Sequence, residues 1–444
     1  MRNSPHSRRC IPEVLARHWT EAGESAHAIA EWQRAGKAAQ ARNAFAEARE
    51  SYRQAITLLK LLPESPERDL REFELARLIV PPLMFTVGFS APETIQAVEH
   101  AAVLAERSGS LKQLVDLMIS QGFTYAASGN FQAAPALADR ALELALREGS
   151  PVSIGLAHTL QIYTRYFPGD LAGVEKHFVA GLRFFDDADL MRLPVNGVTA
   201  FGVASWNAWT LGRADVARER EARMMALKTN RYGTAAKAFF AASLRTRLRE
   251  YEQAEALAVQ ALELCEQHQF PWIAALSRTC IGHARAQLGR VAEGIGLMRR
   301  GIAELLDMGT RLALSSYTAC LAAALERQGA ILQALETVEE AVQTNPDQII
   351  YRPDIFILRG GMRIKQGQKE PAEADFRKAI GLAQAMGAKV YELRATIILA
   401  RLLRDTGRRE EACTMLAEIF NWFTEGLDTR DLKDAKELLD QLSA

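Results

Sequence analysis

Glycines that recur about every forty residues are the feature of this sequence that most restricts its fold. They follow one another at spacings of 40, 43, 77, 40, 38 and 40 residues, at Gly129, Gly169, Gly212, Gly289, Gly329, Gly367 and Gly407. The long interval divides into 37 and 40 residues if Arg249 takes the place of a glycine. A glycine just past a helix end adopts the left-handed conformation that closes the last turn. The pattern therefore predicts eight helical hairpins.

Small side chains keep a fixed distance from these turns. Five residues after each turn the sequence has Ala134, Val174, Ala217, Ala254, Gly294, Ala334, Ala372 and Ala412. Seven residues before each turn it has Gly122, Ile162, Ser205, Ala242, Gly282, Ala322, Gly360 and Ala400. Small residues at matching places on two helices allow the helix axes to approach closely. The two helices of each hairpin are thus expected to cross at these positions.

The repeat pattern extends toward both ends of the chain. Between a first turn at Asn43 and Gly129 there is room for one degenerate unit that turns near Gly88. The expected fold is an all-α, right-handed α-solenoid of about ten helix pairs, closed by an amphipathic C-terminal helix that shields the last apolar surface. The predicted segments are a disordered or truncated tail (1–10), N-terminal repeats with a degenerate second unit (11–114), eight repeats (115–424) and the capping helix (425–444).

Local signals give the ends of three helices in the N-terminal segment. Pro66 after Ser65 is typical of a first helical turn, and Ser90 to Glu93 has the pattern of a capping box. The pair Pro81-Pro82 predicts the end of the helix that begins near Pro66. Alternating strand patterns are nearly absent, in agreement with an all-α chain.

Charge and cysteine content exclude several classes of protein. The 444 residues carry 54 basic and 54 acidic side chains, whereas a nucleic-acid-binding protein normally has a basic excess. No uninterrupted apolar run is long enough for a membrane span. Five cysteines without a CxxC pair favour reduced thiols, so the expected location is the cytoplasm.

The repeats resemble a known family. Its pattern of small, aromatic and alanine positions is best matched by Trp32, Gly36, Ala48, Tyr52, Ala55 and then Pro63. Phe376 and Ala379 repeat the later part of that pattern. The chain is therefore similar to tetratricopeptide-repeat proteins, although its unit is nearer 40 residues than the family's 34. Longer helices or connections are expected.

Three stretches carry a closer resemblance: Pro12–Gly23, Ala30–Gly36 and Leu83–Glu93 with the residues up to Gly109. They resemble the C-terminal repeat region of bacterial signalling proteins in which a class III adenylate or guanylate cyclase and an AAA-type ATPase precede the repeats. The catalytic modules of that family would lie before residue 11. The resemblance therefore implies a stand-alone or truncated regulatory half, with a protein or peptide segment as partner and a cyclase or ATPase module as one candidate.

The resemblance to tetratricopeptide repeats also implies a binding surface. In that family the first helix of each pair lines a concave groove. At the corresponding places the N-terminal half of this chain has aromatic side chains, at Phe123, Tyr163, Tyr166, Phe167, Trp206, Trp209 and Phe239. The C-terminal half has His283 and basic side chains at Arg247, Arg327, Lys365, Arg401 and Arg404.

The sequence favours a non-catalytic, regulatory protein-interaction scaffold that binds a protein segment in this groove, and two other interpretations stay open. The aromatic residues are either core residues or the anchors of a protein segment, whose acidic residues would then contact the basic half. Alternatively, the superhelix encloses a small-molecule effector, with aromatic faces stacked on a ring and basic residues on its acidic group.

Catalysis is the least supported function. The only Gly-Lys, Gly36-Lys37, is followed by Ala38 and does not form a phosphate-binding loop. The eight histidines have no metal-binding spacing, and His158 and His283 are weak candidates at most. Cys280 and Cys320 occupy packing positions that suit buried, unreactive thiols. The sequence therefore predicts no catalytic residue, no metal and no cofactor.

Overall fold

A computed structural model describes residues 12–108, 110–193 and 196–443. The predicted tail, residues 1–10, lies outside the described residues. The described residues form 22 α-helices and no strand. In chain order the helices are α1 Pro12–Glu21, α2 Ser25–Ala41, α3 Phe45–Leu59, α4 Pro66–Thr86, α5 Pro92–Ser108, α6 Leu111–Ala127, α7 Ala134–Glu148, α8 Pro151–Tyr166, α9 Leu171–Gly181, α10 Gly197–Thr210, α11 Ala214–Ala226, α12 Arg231–Arg247, α13 Tyr251–His268, α14 Pro271–Gln287, α15 Val291–Asp307, α16 Leu314–Arg327, α17 Ile331–Gln343, α18 Arg352–Lys365, α19 Lys369–Met386, α20 Lys389–Asp405, α21 Arg409–Phe420 and α22 Arg430–Ser443.

Ten consecutive helix pairs make up the solenoid, from α2 with α3 to α20 with α21. Helix α22 packs against α20 and α21 and closes the C-terminal end. The predicted all-α solenoid of about ten helix pairs with a capping helix is confirmed. Helix α1 precedes the pairs as an additional element. The segment boundaries at residues 114 and 424 remain predictions.

The turn inside each pair has the predicted left-handed backbone. All eight glycines at these turns have positive φ, from 76° at Gly367 to 109° at Gly88. Asn43 and Arg249 take the same conformation, with φ of 62° and 63°. A side chain in this conformation costs about 1–2 kcal/mol. At Arg249 an ion pair with Asp434, 2.7 Å long, holds the residue in place.

Two local predictions in the N-terminal segment are wrong. Helix α4 continues through Pro81 and Pro82 to Thr86, because the apolar side chains around the prolines pack on both sides of the helix. Ser90 does not cap α5. Its hydroxyl instead donates to the carbonyl oxygen of Met308 at 3.1 Å and lies 2.8 Å from the Thr310 hydroxyl. A contact between distant repeats thus takes the place of a local cap.

The closest helix crossing is in the pair α14 and α15, where glycines face each other. A Cβ atom on Gly294 would collide with the carbonyl oxygen of Gly282. A Cβ atom on Gly301 would lie 2.7 Å from the carbonyl oxygen of Ala275. The small residues predicted five after and seven before the turn thus bring two backbones into contact at this crossing.

The same substitution at two glycines of α15 is expected to have opposite effects. Gly294→Ala should lower the free energy of unfolding by about 2 kcal/mol, because the added methyl group pushes α14 and α15 apart. Gly296→Ala should raise it by about 0.5–1 kcal/mol, because Gly296 has open space around it and alanine favours the helix. Urea unfolding of both variants measures the difference. Equal effects would contradict the close crossing.

Successive turns of the superhelix touch each other. The amides of Arg311 and Leu312 donate to the carbonyl oxygen of Ala127 at 3.0 and 3.2 Å, and the amide of Ile350 donates to that of Phe167 at 3.2 Å. The hydrogen-bonded side chains of Ser90 and Thr310 are 220 residues apart in the sequence. Because the turns stack without a gap at these places, the inner wall of the solenoid encloses a space.

Candidate functional site

The enclosed space is a cavity of about 490 Å³. First helices of the pairs from α6 to α20 line it, together with the start of α22. Its aromatic lining consists of Phe89, Phe123, Tyr163, Phe167, Trp206, Trp209, Tyr232, Phe239, Phe240, Tyr251, Trp272, Tyr317, Tyr351 and Tyr391. The cavity volume falls within the roughly 300–1,000 Å³ typical of small-molecule sites.

The forty-residue repeat determines which side chains reach the cavity. Six residues before the turns, the lining has Phe123, Tyr163, Trp206, Ser243, His283 and Arg401. Thirteen residues before the turns, it has Thr199, Ala236, Leu276, Ser316, Asp354 and Arg394. The two places are seven residues apart, which puts them on one helix face about two turns from each other. Helices α10, α12, α14 and α20 contribute both places to the inner wall, and α6, α8, α16 and α18 contribute one of them.

Nine of the thirteen predicted groove residues line the cavity. They are Phe123, Tyr163, Phe167, Trp206, Trp209, Phe239, Arg247, His283 and Arg401. Their aromatic members are buried in the protein core as well, with 2–7% of their surface exposed. The core interpretation and the groove interpretation thus describe the same side chains, because the inner face of the solenoid is also its core.

The other four predicted groove residues do not reach the cavity. Tyr166 is fully buried, and its hydroxyl has no hydrogen-bond partner within the described residues. Arg327 and Lys365 are exposed, and they bond to Gln287 at 2.7 Å and Glu326 at 3.0 Å. Arg404 bonds to Gln441 of the capping helix at 3.1 Å. The three basic side chains near the ends of their helices bond to the neighbouring pair or to the cap, and their place in a partner-binding groove stays a prediction.

Aromatic contacts fix the apolar wall of the cavity. The ring centroids of Phe123 and Tyr163 are 5.3 Å apart. The indole nitrogen of Trp206 donates to the carbonyl oxygen of Phe240 at 3.2 Å. Trp209 meets the edge of Tyr391, from the next superhelical turn, at 5.5 Å. These contacts hold the rings in place before any ligand enters.

Charged side chains also line the cavity. The lining contains four arginines and three aspartates: Arg247, Arg249, Arg394, Arg401, Asp354, Asp431 and Asp434. Arg394 donates to both carboxylate oxygens of Asp431, at 3.1 and 2.8 Å, and to the carbonyl oxygen of Arg247 at 2.7 Å. Arg249 pairs with Asp434 and, at 3.4 Å, with Asp431. These bonds attach the capping helix to the cavity wall.

Arg247 differs from the other buried arginines of the cavity. Its guanidinium carbon lies 4.4 Å from the ring centroid of Trp206, and one terminal nitrogen donates to the carbonyl and hydroxyl oxygens of Ser243. Its Nε is buried without a hydrogen-bond partner, and no carboxylate of the described residues forms an ion pair with it. A guanidinium without an anionic partner is costly inside a protein.

The remaining candidates have pKa values shifted by burial. Burial lowers the pKa of His283 to about 4, with Arg327 and Arg394 adding to the effect, so its imidazole is neutral near pH 7. Burial raises the pKa of the Cys320 thiol to about 12, and it also raises that of Cys280. The prediction of unreactive thiols at these positions agrees with these directions. His158 lies outside the cavity and contacts His177.

Several lining residues were not found from the sequence. Asp354 and Arg394 share a register position with Ser316 and Leu276, so the repeat pattern contained a signal for them. The loop and cap residues Phe89, Tyr351 and Asp431 reach the cavity only because adjacent superhelical turns stack. The forty-residue repeat contains no signal for a contact between adjacent superhelical turns.

Comparisons with known proteins place the chain among helical-repeat proteins. No family model matches it. An uncharacterized protein of Rhizobium meliloti (strain 1021) is 25% identical over 400 residues, which are 86% of this chain and 38% of that protein. The chain thus spans well under half of that relative's length.

The fold is similar to that of solved helical-repeat structures. A Rap protein in complex with Competence and Sporulation Factor aligns with 82% of this chain and 98% of its own, at 13% identity and a TM-score of 0.58. Human IFIT1, solved as a dimer with m7Gppp-AAAA, aligns with 94% of this chain at 12% identity and a TM-score of 0.47. Among the described residues, no helix has the length and apolar character of a membrane span.

These observations define the class of the protein. It is a tetratricopeptide-like helical solenoid whose successive turns touch and whose inner wall surrounds a cavity lined by aromatic and charged side chains.

Proposed function

We propose that this chain is a non-catalytic sensory module that binds a small effector inside its superhelix. The single observation that carries the proposal is the cavity of about 490 Å³ with an aromatic wall and an unpaired arginine. The volume lies in the range typical of small-molecule sites, and the wall offers a bound molecule both aromatic faces and charged groups.

We also propose that the module regulates a signalling system of the cyclase and ATPase type. The resemblance of Pro12–Gly23, Ala30–Gly36 and Leu83–Glu93 to the repeat region of such proteins supports this role. The long Rhizobium meliloti relative is in keeping with a repeat region that belongs to a larger system. Ligand binding would act on the solenoid through the ion pairs that attach α22 to the cavity wall.

A protein or peptide segment in the same groove is the second candidate. The fold likeness to a Rap protein solved with Competence and Sporulation Factor favours it. Nine of the residues predicted for this groove already face a common space.

Thermal-shift screening with a metabolite library tests the proposed function. An effector at about 100 times its Kd should stabilise the protein by about 2.7 kcal/mol. Ser316 faces the cavity, and Ser316→Trp should fill it and abolish the shift. Leu332→Trp, on the outer surface where Leu332 is 78% exposed, is the matched control and should keep the shift. Loss of the shift in both variants, or no shift from any compound, would contradict binding in the cavity.

A further inference from the structure

We propose that the effector is a small aromatic carboxylate whose acidic group binds the Arg247 guanidinium and whose ring lies against Trp206. This inference rests on the proposed function and names the ligand class for the same cavity. Three observations carry it: the missing anionic partner of Arg247, the pairing of Arg249 and Arg394 with carboxylates, and the aromatic wall next to the Arg247 guanidinium.

The guanidinium of Arg247 is placed for an anion that the chain does not supply. Its bonds go to a carbonyl and a hydroxyl of Ser243, both neutral acceptors. The Trp206 ring covers one face at 4.4 Å, and the phenols of Tyr166 and Tyr351 lie beside it. Arginine binds carboxylates through two parallel hydrogen bonds, and such a charge-assisted pair is about twice as strong as a neutral one.

Two of the other three arginines of the cavity, Arg249 and Arg394, are bound to carboxylates, and the third, Arg401, is exposed to solvent. Asp431 and Asp434 bond to Arg394 and Arg249. Asp354 is the nearest remaining carboxylate to consider. One carboxylate oxygen of Asp354 lies 4.0 Å from a terminal nitrogen of Arg394, and 44% of the Asp354 side chain is accessible. Asp354 forms no ion pair with Arg247.

The surroundings of Arg247 select a flat ligand with one negative charge. Trp206 contacts Phe239 and Phe240, at centroid distances of 6.3 and 4.9 Å, so a continuous aromatic surface extends away from the guanidinium. Three aspartates in the lining disfavour a doubly charged group such as a phosphate ester. A monocarboxylate needs one guanidinium, and that of Arg247 lies against this aromatic surface with its Nε buried and unbonded among the described residues.

Isothermal titration calorimetry with matched acid and amide probes tests the inference. The probes are benzoate with benzamide, 2-naphthoate with 2-naphthamide, and phenyl phosphate. At millimolar concentration the carboxylates should bind about tenfold more tightly than their amides, because only they form the charged pair. Arg247→Gln should remove this preference, and Arg247→Lys should restore part of it. Circular dichroism of each variant checks that it is folded. The comparison of acids with amides is made on the wild-type protein, so it tests the inference even if a variant does not fold.

The outcomes separate this inference from the proposed function. Equal binding of acids and amides, unchanged in Arg247→Gln, overturns the carboxylate assignment and leaves the cavity as a ligand site. Tighter binding of phenyl phosphate than of either carboxylate overturns it in favour of a phosphate group. Absence of binding by every probe also overturns it. The proposed function itself fails only if the metabolite library gives no shift that Ser316→Trp removes.

Discussion

Replacing Asp431 by asparagine is expected to lower the free energy of unfolding by about 3 kcal/mol. Asp431 begins the capping helix, is 6% exposed and accepts two hydrogen bonds from Arg394. Loss of its charge leaves the guanidinium inside the solenoid without its close anionic partner, and breaking such a buried pair typically costs about 3–5 kcal/mol. We expect a value at the lower end of this range, because asparagine keeps one oxygen as an acceptor and Arg394 keeps its hydrogen bond to the carbonyl oxygen of Arg247.

Denaturant unfolding measures this effect, and the capping helix itself provides the control. Asp440 lies on the same helix and is exposed, so Asp440→Asn removes the same charge without breaking a buried pair. Its free energy of unfolding should change by less than about 0.5 kcal/mol. Equal stability of the Asp431 and Asp440 variants would show that the cap is not attached through Asp431.

Acid should destabilise the fold between about pH 6.5 and pH 4 through a buried histidine pair. The Nδ1 atoms of His158 and His177 are 3.2 Å apart, and burial lowers the pKa of both to about 4. In the unfolded chain a histidine has a pKa near 6.5, so the unfolded state binds more protons throughout this window. Stability is therefore fully present above about pH 6.5 and falls as the pH decreases, by up to about 1.4 kcal/mol per pH unit for each histidine.

Variants of single histidines isolate this contribution from that of the carboxylates. His158→Leu should reduce the pH slope of the unfolding free energy by up to about 1.4 kcal/mol per unit. His18→Gln, at an exposed position, is the control for the loss of a histidine side chain. A slope in His158→Leu equal to that of the wild-type protein would mean that the pair is protonated in the folded state.

The helix pairs could be predicted from the sequence because their causes are local. A left-handed residue after a helix and small residues at fixed distances from it act within one unit of about forty residues. All ten turns that this pattern predicts, including the non-glycine turns at Asn43 and Arg249, have positive φ. Local signals were less reliable where tertiary packing competes with them. At Pro81-Pro82 the flanking core outweighs two missing hydrogen-bond donors, and at Ser90 a distant partner replaces the cap.

The cavity could be predicted only in part, because it depends on the pitch of the superhelix. The aromatic residues of the first helices follow from the repeat register. Their enclosure follows from contacts such as that of Arg311 with Ala127, which join residues far apart in the sequence and obey no period. The basic residues Arg327, Lys365 and Arg404 have plausible register positions, yet they bond to neighbouring pairs or to the cap. A side chain near the end of a helix can point into the groove or toward a neighbouring helix, and the residues around it determine its direction.

The central claim is that successive superhelical turns touch and so enclose the cavity. A disulfide between distant repeats tests it most directly. The hydroxyl oxygens of Ser90 and Thr310 are 2.8 Å apart, which brings their side chains within reach of a disulfide bond. In the double variant Ser90→Cys and Thr310→Cys, mild oxidation should cross-link these positions nearly completely, as measured by mass spectrometry of the digested protein. A control that combines Ser90→Cys with Thr337→Cys should not cross-link. Absence of the 90–310 cross-link in the folded protein would contradict a closed superhelix and the cavity within it.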